Sequence, residues 1–186
     1  TLNQALYAKI PFDPIKDFTP VARLASGNSI IVAHPSVPVK TVKEFIALAK
    51  SKPGRLVIAS PGQGTSPHLS GELFKVMAKI DLEQVPFKGS GLGMISLIGG
   101  EVSVAFPTTP TVMPYLKNSR LRPLGVTSAK RAQVLPDVPT IAEAALPGYE
   151  STQWYGVLAP AGTPRPVIDI LYKAISRVLR MPDMLD

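Results

Sequence analysis

Apolar residues follow two different periods along this chain, and segments with the two periods alternate. Short apolar runs of strand length are separated by longer segments in which apolar residues recur every three or four positions. The predicted strands are residues 18–24, 29–34, 56–59, 84–87, 102–106, 121–127 and 154–158. The apolar run at residues 30–33 indicates a strand buried on both faces. Strands that alternate with helices predict an α/β fold with a parallel or mixed sheet.

The starts of two helices carry capping signals. Thr41 and Glu44 have the spacing of a capping box, in which a hydroxyl and a carboxylate accept hydrogen bonds from free N–H groups, and Thr140-Ile141-Ala142-Glu143 repeats it. Further helices are predicted from Pro67, over residues 92–98, up to about residue 117, and from Thr163-Pro164 to Asp186. Apolar residues at helical spacing are Leu69, Leu73, Val76, Met77 and Ile80 in the helix from Pro67, and, facing inward in the last helix, Val167, Ile170, Leu171, Ala174, Ile175 and Val178.

Composition narrows the class of protein. Of the 186 residues, 45% are hydrophobic and 18% charged, which is ordinary for a globular protein. The formal net charge of +7 comes from scattered basic residues without interleaved aromatics, so no nucleic-acid partner is expected. The chain has no cysteine, which excludes thiol nucleophiles, disulfides and cysteine metal sites.

The segment Ser60-Pro61-Gly62-Gln63-Gly64-Thr65-Ser66 is the most informative loop, since it joins a predicted strand to a predicted helix. Gly62 and Gly64 free the backbone to turn its N–H groups inward, Thr65 or Ser66 can cap the helix, and Pro67 suits its first turn. Free N–H groups and the positive end of a helix dipole then form a site for an anion. A tight turn that merely uses glycine and serine is an equally weighted alternative.

The loop lacks the features of the common nucleotide-binding motifs. It has no Gly-Lys-Ser/Thr ending and no third glycine, and it offers neutral donors, so it suits a carboxylate better than a triphosphate. His68 lies in the first helical turn, without partners for a metal site. The candidate ligand-binding residues are Gly62, Gln63, Gly64, Thr65, Ser66 and His68, with Ser90 and Thr108 from two later loops.

Those later loops also follow predicted strands. Ser90 lies in Lys88-Gly89-Ser90-Gly91 and Thr108 in Phe106-Pro107-Thr108-Thr109. Ligands of open α/β sheets lie at the carboxyl ends of strands, so the three loops are expected to converge on one crevice. No Gly-x-Ser-x-Gly motif occurs and no loop of this kind carries paired acids, so no catalytic residue, metal or cofactor is expected.

Several of these segments carry a family resemblance. They are Pro11-Phe12-Asp13-Pro14-Ile15-Lys16-Asp17-Phe18, the loop above with His68-Leu69 and Gly71-Glu72-Leu73, Val85-Pro86-Phe87-Lys88-Gly89-Ser90, Leu97-Ile98-Gly99-Gly100, Val126-Thr127-Ser128-Ala129-Lys130-Arg131, Leu135-Pro136-Asp137-Val138-Pro139-Thr140 and Leu158-Ala159-Pro160-Ala161-Gly162-Thr163-Pro164. With these motifs in this order, the chain resembles the substrate-binding receptors of tripartite tricarboxylate transporters, the Bug family.

The resemblance implies a periplasmic-binding-protein fold of type II, a mixed sheet flanked by helices in each of two lobes. Residues 25–152 would be the complete second lobe, and residues 1–24 and 153–186 remnants of the first. The implied function is a periplasmic receptor, not an enzyme, which holds a small carboxylate between loops of the two lobes and delivers it to membrane transporter subunits. The full-length form would carry a signal peptide.

This sequence departs from the family pattern in two ways. Ser96 and Pro107 stand where the family usually has aspartates, and Pro107 lies near the expected ligand. The family's N-terminal strand and first ligand loop precede Thr1, and its C-terminal helices extend beyond Asp186. The alternative function is therefore a truncated or orphan relative without transport, an interaction or signalling protein whose exposed first-lobe surface self-associates.

Overall fold

The computed structural model describes residues 6–184, which divide into two compact units. One unit is Gly27–Gln153, called the inner unit because it lies between the two segments of the other unit in sequence. The other, called the outer unit, contains the described residues up to Ser26 and from Trp154. The strands are β1 (Phe18–Asn28), β2 (Ile30–Ala33), β3 (Val57–Ser60), β4 (Glu83–Pro86), β5 (Val104–Ala105), β6 (Arg122–Val126) and β7 (Thr152–Pro160). The helices are α1 (Val42–Ser51), α2 (Ser66–Ala78), α3 (Ser90–Ile98), α4 (Thr109–Lys117), α5 (Ile141–Ala144) and α6 (Arg165–Val178).

The inner unit is built on a five-stranded mixed sheet of order β4-β3-β5-β2-β6. β3 pairs in parallel with β4 and β5, whereas β2 pairs antiparallel with β5 and β6. All four residues of β2 are fully buried, with Ile31 in the core on one face and Ile30 and Val32 in the core on the other. The predicted α/β fold with a mixed sheet between helices is confirmed.

Phe74 of α2 is the centre of the larger core. Its ring centroid lies 5.7 Å from that of Phe106, 6.0 Å from that of Phe45 and 6.2 Å from that of Tyr149. These aromatic contacts join α1, α2 and the segment before β7 on one face of the sheet. On the other face, Met94 and Leu97 of α3 and Val112 of α4 pack against the strands.

The predicted inward face of the last helix is wrong in part, and only some of the apolar residues at helical spacing in α2 face the core. In α2, Leu73 and Val76 are exposed, and the core side consists of Ser70, Gly71, Phe74 and Ala78. In α6, Val167, Ile170, Leu171, Ala174 and Val178 are exposed, while Ile168 is buried and Ile175 is partly buried. Among the described residues of the outer unit, the only sheet is the two-stranded sheet of β1 and β7. Only a narrow stripe of α6, with Ile168 and Ile175, packs against this sheet.

The ends of helices agree better with the sequence. Thr140 and Glu143 form the complete capping box. At α1, Thr41 Oγ1 accepts from the Glu44 N–H at 3.1 Å, but the Glu44 carboxylate accepts from the N–H of Lys40, so that predicted box is only half formed. The last helix ends at Val178, because a short 3₁₀ turn (Pro182–Met184) follows and Pro182 has no N–H to donate. Asp186 lies outside the described residues.

No helix in the described part of the chain combines the length and the apolar character that crossing a membrane requires.

Candidate functional site

One edge of the inner sheet gathers three strand-to-helix loops. β3, β4 and β5 run parallel to one another, so their carboxyl ends lie at the same edge of the sheet. The helices that follow these strands, α2, α3 and α4, all begin at that edge. A crevice opens at this edge, and none of the described residues that line it is charged. Its lining is Ala59, Ser60, Pro61 and Pro67 from the first loop, Ser90, Gly93 and Met94 from the second, and Ala105, Phe106 and Pro107 from the third. The expected convergence of three loops thus occurs within this unit.

The first loop is closed by its own hydrogen bonds. Gly62 and Gly64 have φ values of 132° and 74°, in the region that favours glycine. Thr65 Oγ1 donates to the Gly62 carbonyl oxygen at 2.8 Å and accepts from the His68 N–H at 3.4 Å, which makes Thr65 the N-cap of α2. Its threonine therefore satisfies one of the free N–H groups at the start of α2.

A buried hydroxyl cluster holds the first turns of α2 in place. Ser70 Oγ donates to the Ser66 carbonyl oxygen at 2.9 Å and lies 2.7 Å from Ser151 Oγ. Tyr149 Oη donates to the Ser70 carbonyl oxygen at 2.9 Å. Burial raises the pKa of the Tyr149 phenol well above its ordinary value, so the hydroxyl stays protonated and remains a donor.

The starts of α3 and α4 are different, because no side chain caps them. Gly89, the N-cap of α3, has a φ of 99° and carries no hydroxyl, and Thr108, the N-cap of α4, makes no side-chain bond to its helix backbone. Thr108 Oγ1 instead lies 2.8 Å from Thr111 Oγ1. The first N–H groups of α3 consequently lack intrahelical acceptors and a side-chain cap, which leaves donors for an anion, whereas α4 offers fewer donors because Pro110, its second residue, has no N–H.

Close packing brings α3 to the crevice. A Cβ placed on Gly93 would lie 3.5 Å from the Cβ of Ala59 in β3 and 3.5 Å from the ring of Phe87, which is ordinary contact distance, so α3 packs directly against β3 at this position. The exposed Ser90, the first residue of α3, lines the crevice as a result.

A second polar cluster lies at this edge, and its hydrogen bonds were not predicted. Asn28 Nδ2 donates to Ser128 Oγ at 3.1 Å, and Asn28 Oδ1 accepts from Thr109 Oγ1 at 3.0 Å. Thr127 Oγ1 accepts from the N–H of Ser29 at 2.9 Å and donates to its carbonyl oxygen at 3.0 Å. This cluster fixes the carboxyl end of β6 and the start of α4 against the amino end of β2.

The structure places the predicted site residues unevenly around the crevice. Ser90 lines it, and Thr108 adjoins the lining residue Pro107. Three residues of the first loop line the crevice, Ser60, Pro61 and Pro67, and none of them was a predicted ligand-binding residue. The predicted residues of this loop lie in the turn between Pro61 and Pro67 and do not line the crevice; they are Gly62, Gln63, Gly64, Thr65 and Ser66. His68 Nδ1 is buried without a hydrogen-bond partner among the described residues. Among the residues whose side chains the structure describes, no group of three or more histidines and acids is placed to hold a metal ion.

Comparisons with known proteins agree with this architecture. A protein encoded in the tcbD-tcbE intergenic region of a Pseudomonas species is 36% identical over 186 residues, which is 100% of this chain and 55% of that protein. The chain thus spans about half the length of the curated relatives it matches.

Solved structures are similar in fold as well as in sequence. Rpa4515 of R. palustris with adipate has a TM-score of 0.87 and 36% identity, covering 96% of this chain and 60% of that one. MatC of Rhodopseudomonas palustris with bound malate has a TM-score of 0.86 and 34% identity, covering 98% and 62%. The periplasmic binding protein BugD has a TM-score of 0.84 and 29% identity, covering 94% and 58%. The predicted periplasmic-binding-protein fold is therefore confirmed.

The family model described as the tripartite tricarboxylate transporter family receptor matches residues 1–186, and the chain belongs to that family of solute-binding receptors.

Proposed function

We propose that this chain is the ligand-holding part of a periplasmic receptor that captures a small carboxylate for a tripartite tricarboxylate-type transporter. On this proposal the inner unit is the second lobe of a two-lobe receptor, corresponding to predicted residues 25–152. The residues on either side, 1–24 and 153–186, belong to the first lobe. Family membership and the adipate and malate bound by two similar proteins support the class of ligand.

The observation that carries the proposal is the pair of uncapped helix starts at one crevice. α3 and α4 begin there without side-chain caps, and Ser90 adds a hydroxyl. N–H groups at helix starts bind anions through their partial positive charge. One carboxylate group of a ligand matches such neutral donors, whereas several charges placed together at this crevice would lack a counter-charge, because none of its described lining residues is charged.

Calorimetric titration of the chain with a panel of acids tests the proposal. The panel contains adipate, malate, citrate and benzoate, with adipamide as the neutral twin of adipate. We expect at least one acid to bind with a Kd of about 1 mM or tighter, corresponding to roughly −4 kcal/mol or better, and adipamide to give no heat. Silence from every acid, or equal binding of adipate and adipamide, would overturn the proposal.

A further inference from the structure

The inner unit has a second concave surface on the α1 and α2 side of its sheet. Three residues that pack against the buried core form its partly exposed apolar floor: Ile46 of α1, Met77 of α2 and Leu146 after α5. Three exposed lysines, Lys43, Lys50 and Lys79, form its rim. These six residues are called the lysine groove.

The lysine groove lies away from the crevice. α2 starts at the crevice edge and runs for 13 residues, about 20 Å at 1.5 Å per residue, before it reaches Met77 and Lys79 near the start of β4. An occupant of the groove would therefore leave the crevice free. Docking there does not depend on whether the crevice binds a carboxylate.

The rim lysines are not paired with acidic side chains of the described residues. Lys43 and Lys50 flank Ile46 on one face of α1, at spacings of three and four residues. None of the three rim lysines forms an ion pair with a described residue, whereas the neighbouring Lys75 pairs with Glu72 at 3.0 Å. The described lining also contains no aspartate or glutamate. A concave apolar floor with a rim of one sign attracts groups of the opposite sign.

Lys79 occupies its place on the rim at a cost. It follows α2 in the left-handed conformation, with φ 54° and ψ 53°, and its N–H closes the helix on the carbonyl oxygens of Lys75 and Val76. Glycine adopts this conformation without the steric cost that a side chain meets. The chain therefore holds a lysine at a position where glycine would stabilise the fold.

We propose that the lysine groove docks an acidic segment of a partner protein, one that presents an apolar side chain between carboxylates. The apolar side chain contacts Ile46, Met77 and Leu146, and the carboxylates pair with the rim lysines. The hollow shape favours a single inserted side chain over the flat surface of a membrane. Recognition of short acidic motifs by clusters of basic side chains is a recurring mode of peptide binding.

An NMR titration with a defined peptide tests the proposal. The probe is acetyl-Gly-Glu-Glu-Leu-Glu-Glu-Gly-amide, and its controls replace Leu by Ser, or every Glu by Gln. We expect the probe peptide to shift the NMR signals of the lysine groove and to bind at least about five-fold more tightly than either control peptide. Its affinity should fall when the ionic strength rises from about 0.1 M to about 1 M, because the electrostatic screening length then shortens from about 10 Å to about 3 Å. Equal binding of the Ser peptide would overturn the proposal, because the apolar floor would then play no part.

Variants separate the groove from general charge attraction. Lys43→Gln with Lys50→Gln should weaken the probe about five-fold or more, whereas Lys130→Gln, at an exposed lysine outside the groove, should leave it unchanged. Lys79→Gly should weaken the probe while raising the melting temperature, so misfolding cannot explain its loss. An equal loss in Lys130→Gln would overturn the proposal. Binding to vesicles of phosphatidylglycerol without binding of the probe would also overturn it, in favour of a membrane surface.

Discussion

Tyr149 shows how one residue far along the chain supports the start of α2. It is the largest fully buried side chain of the described residues, and its ring packs edge-on against Phe74. Its hydroxyl reaches the carbonyl oxygen of Ser70, whose own hydroxyl bonds to Ser66 at the first residue of α2. The geometry of the crevice edge therefore rests on an aromatic residue from the segment that precedes β7.

Tyr149→Phe should lower the free energy of unfolding by about 1 kcal/mol at neutral pH, because one buried hydrogen bond is lost. Burial raises the folded pKa of Tyr149 above its unfolded value, so the protonated phenol stabilises the fold fully below about pH 10 and loses that effect as pH rises above it. Urea unfolding at about pH 8 and about pH 11 should show a smaller alkaline loss in Tyr149→Phe than in the unaltered chain.

The control for that measurement is Tyr155→Phe, since Tyr155 is 52% exposed. It should keep the alkaline loss of the unaltered chain. Identical alkaline losses in all three proteins would contradict the account of Tyr149.

Single residues of the candidate site were predictable only where the signal is local. Gly62, Gly64 and Thr65 are recognisable because positive φ and N-capping depend on neighbours in sequence. The side-chain partners of Asn28 were not predictable, because Thr109 and Ser128 are 81 and 100 residues away in sequence. Nothing in the sequence around Asn28 indicates those distant partners.

At the scale of elements, the two predicted capping boxes make a matched pair. Thr140 is fully buried and its box with Glu143 is complete, with both bonds at 3.0 Å. Thr41 is exposed and its hydroxyl makes one bond, to the N–H of Glu44. The same sequence spacing therefore produces two caps of different strength.

Thr140→Ala should lower the free energy of unfolding by about 1–2 kcal/mol, and Thr41→Ala by about 0.5–1 kcal/mol, since water can replace the lost bond only at Thr41. Denaturant unfolding of both variants measures the difference. Replacement by serine at each position, which keeps the hydroxyl, should restore most of the stability. A larger loss at Thr41 than at Thr140 would contradict the structure.

Helix faces were harder to predict than helix ends. In α2 the apolar spacing includes Leu73 and Val76, which are exposed, whereas Phe74 faces the core. Gly71 also faces the core, and a Cβ there would lie 3.2 Å from Gln84 Nε2, which is a tight contact. A helix that carries apolar residues on more than one side does not reveal which side meets the sheet. Only the packing of neighbouring elements decides that.

At the scale of the molecule, the alternation of strands and helices was sufficient to predict the α/β class, but not the order β4-β3-β5-β2-β6. That order depends on pairings between distant segments, such as Ile30 with Val126. It is also what places three loops at one edge, because β3, β4 and β5 run in the same direction. The convergence of the three loops was thus expected from a general rule of open sheets, whereas the strand pairings determine which loops meet.

The most direct test of the central claim is the affinity of the tightest acid for two variants at Ser90. Ser90→Ala removes only the hydroxyl, whereas Ser90→Pro also removes a backbone N–H at the first position of α3, where proline suits a helix. If the N–H groups at the start of α3 hold the carboxylate, the Ser90→Pro variant should bind the acid at least about 10-fold more weakly than the unaltered chain does. It should also bind the acid more weakly than the Ser90→Ala variant, and both variants should keep the melting temperature of the unaltered chain. Unaltered affinity in a folded Ser90→Pro variant would contradict the account.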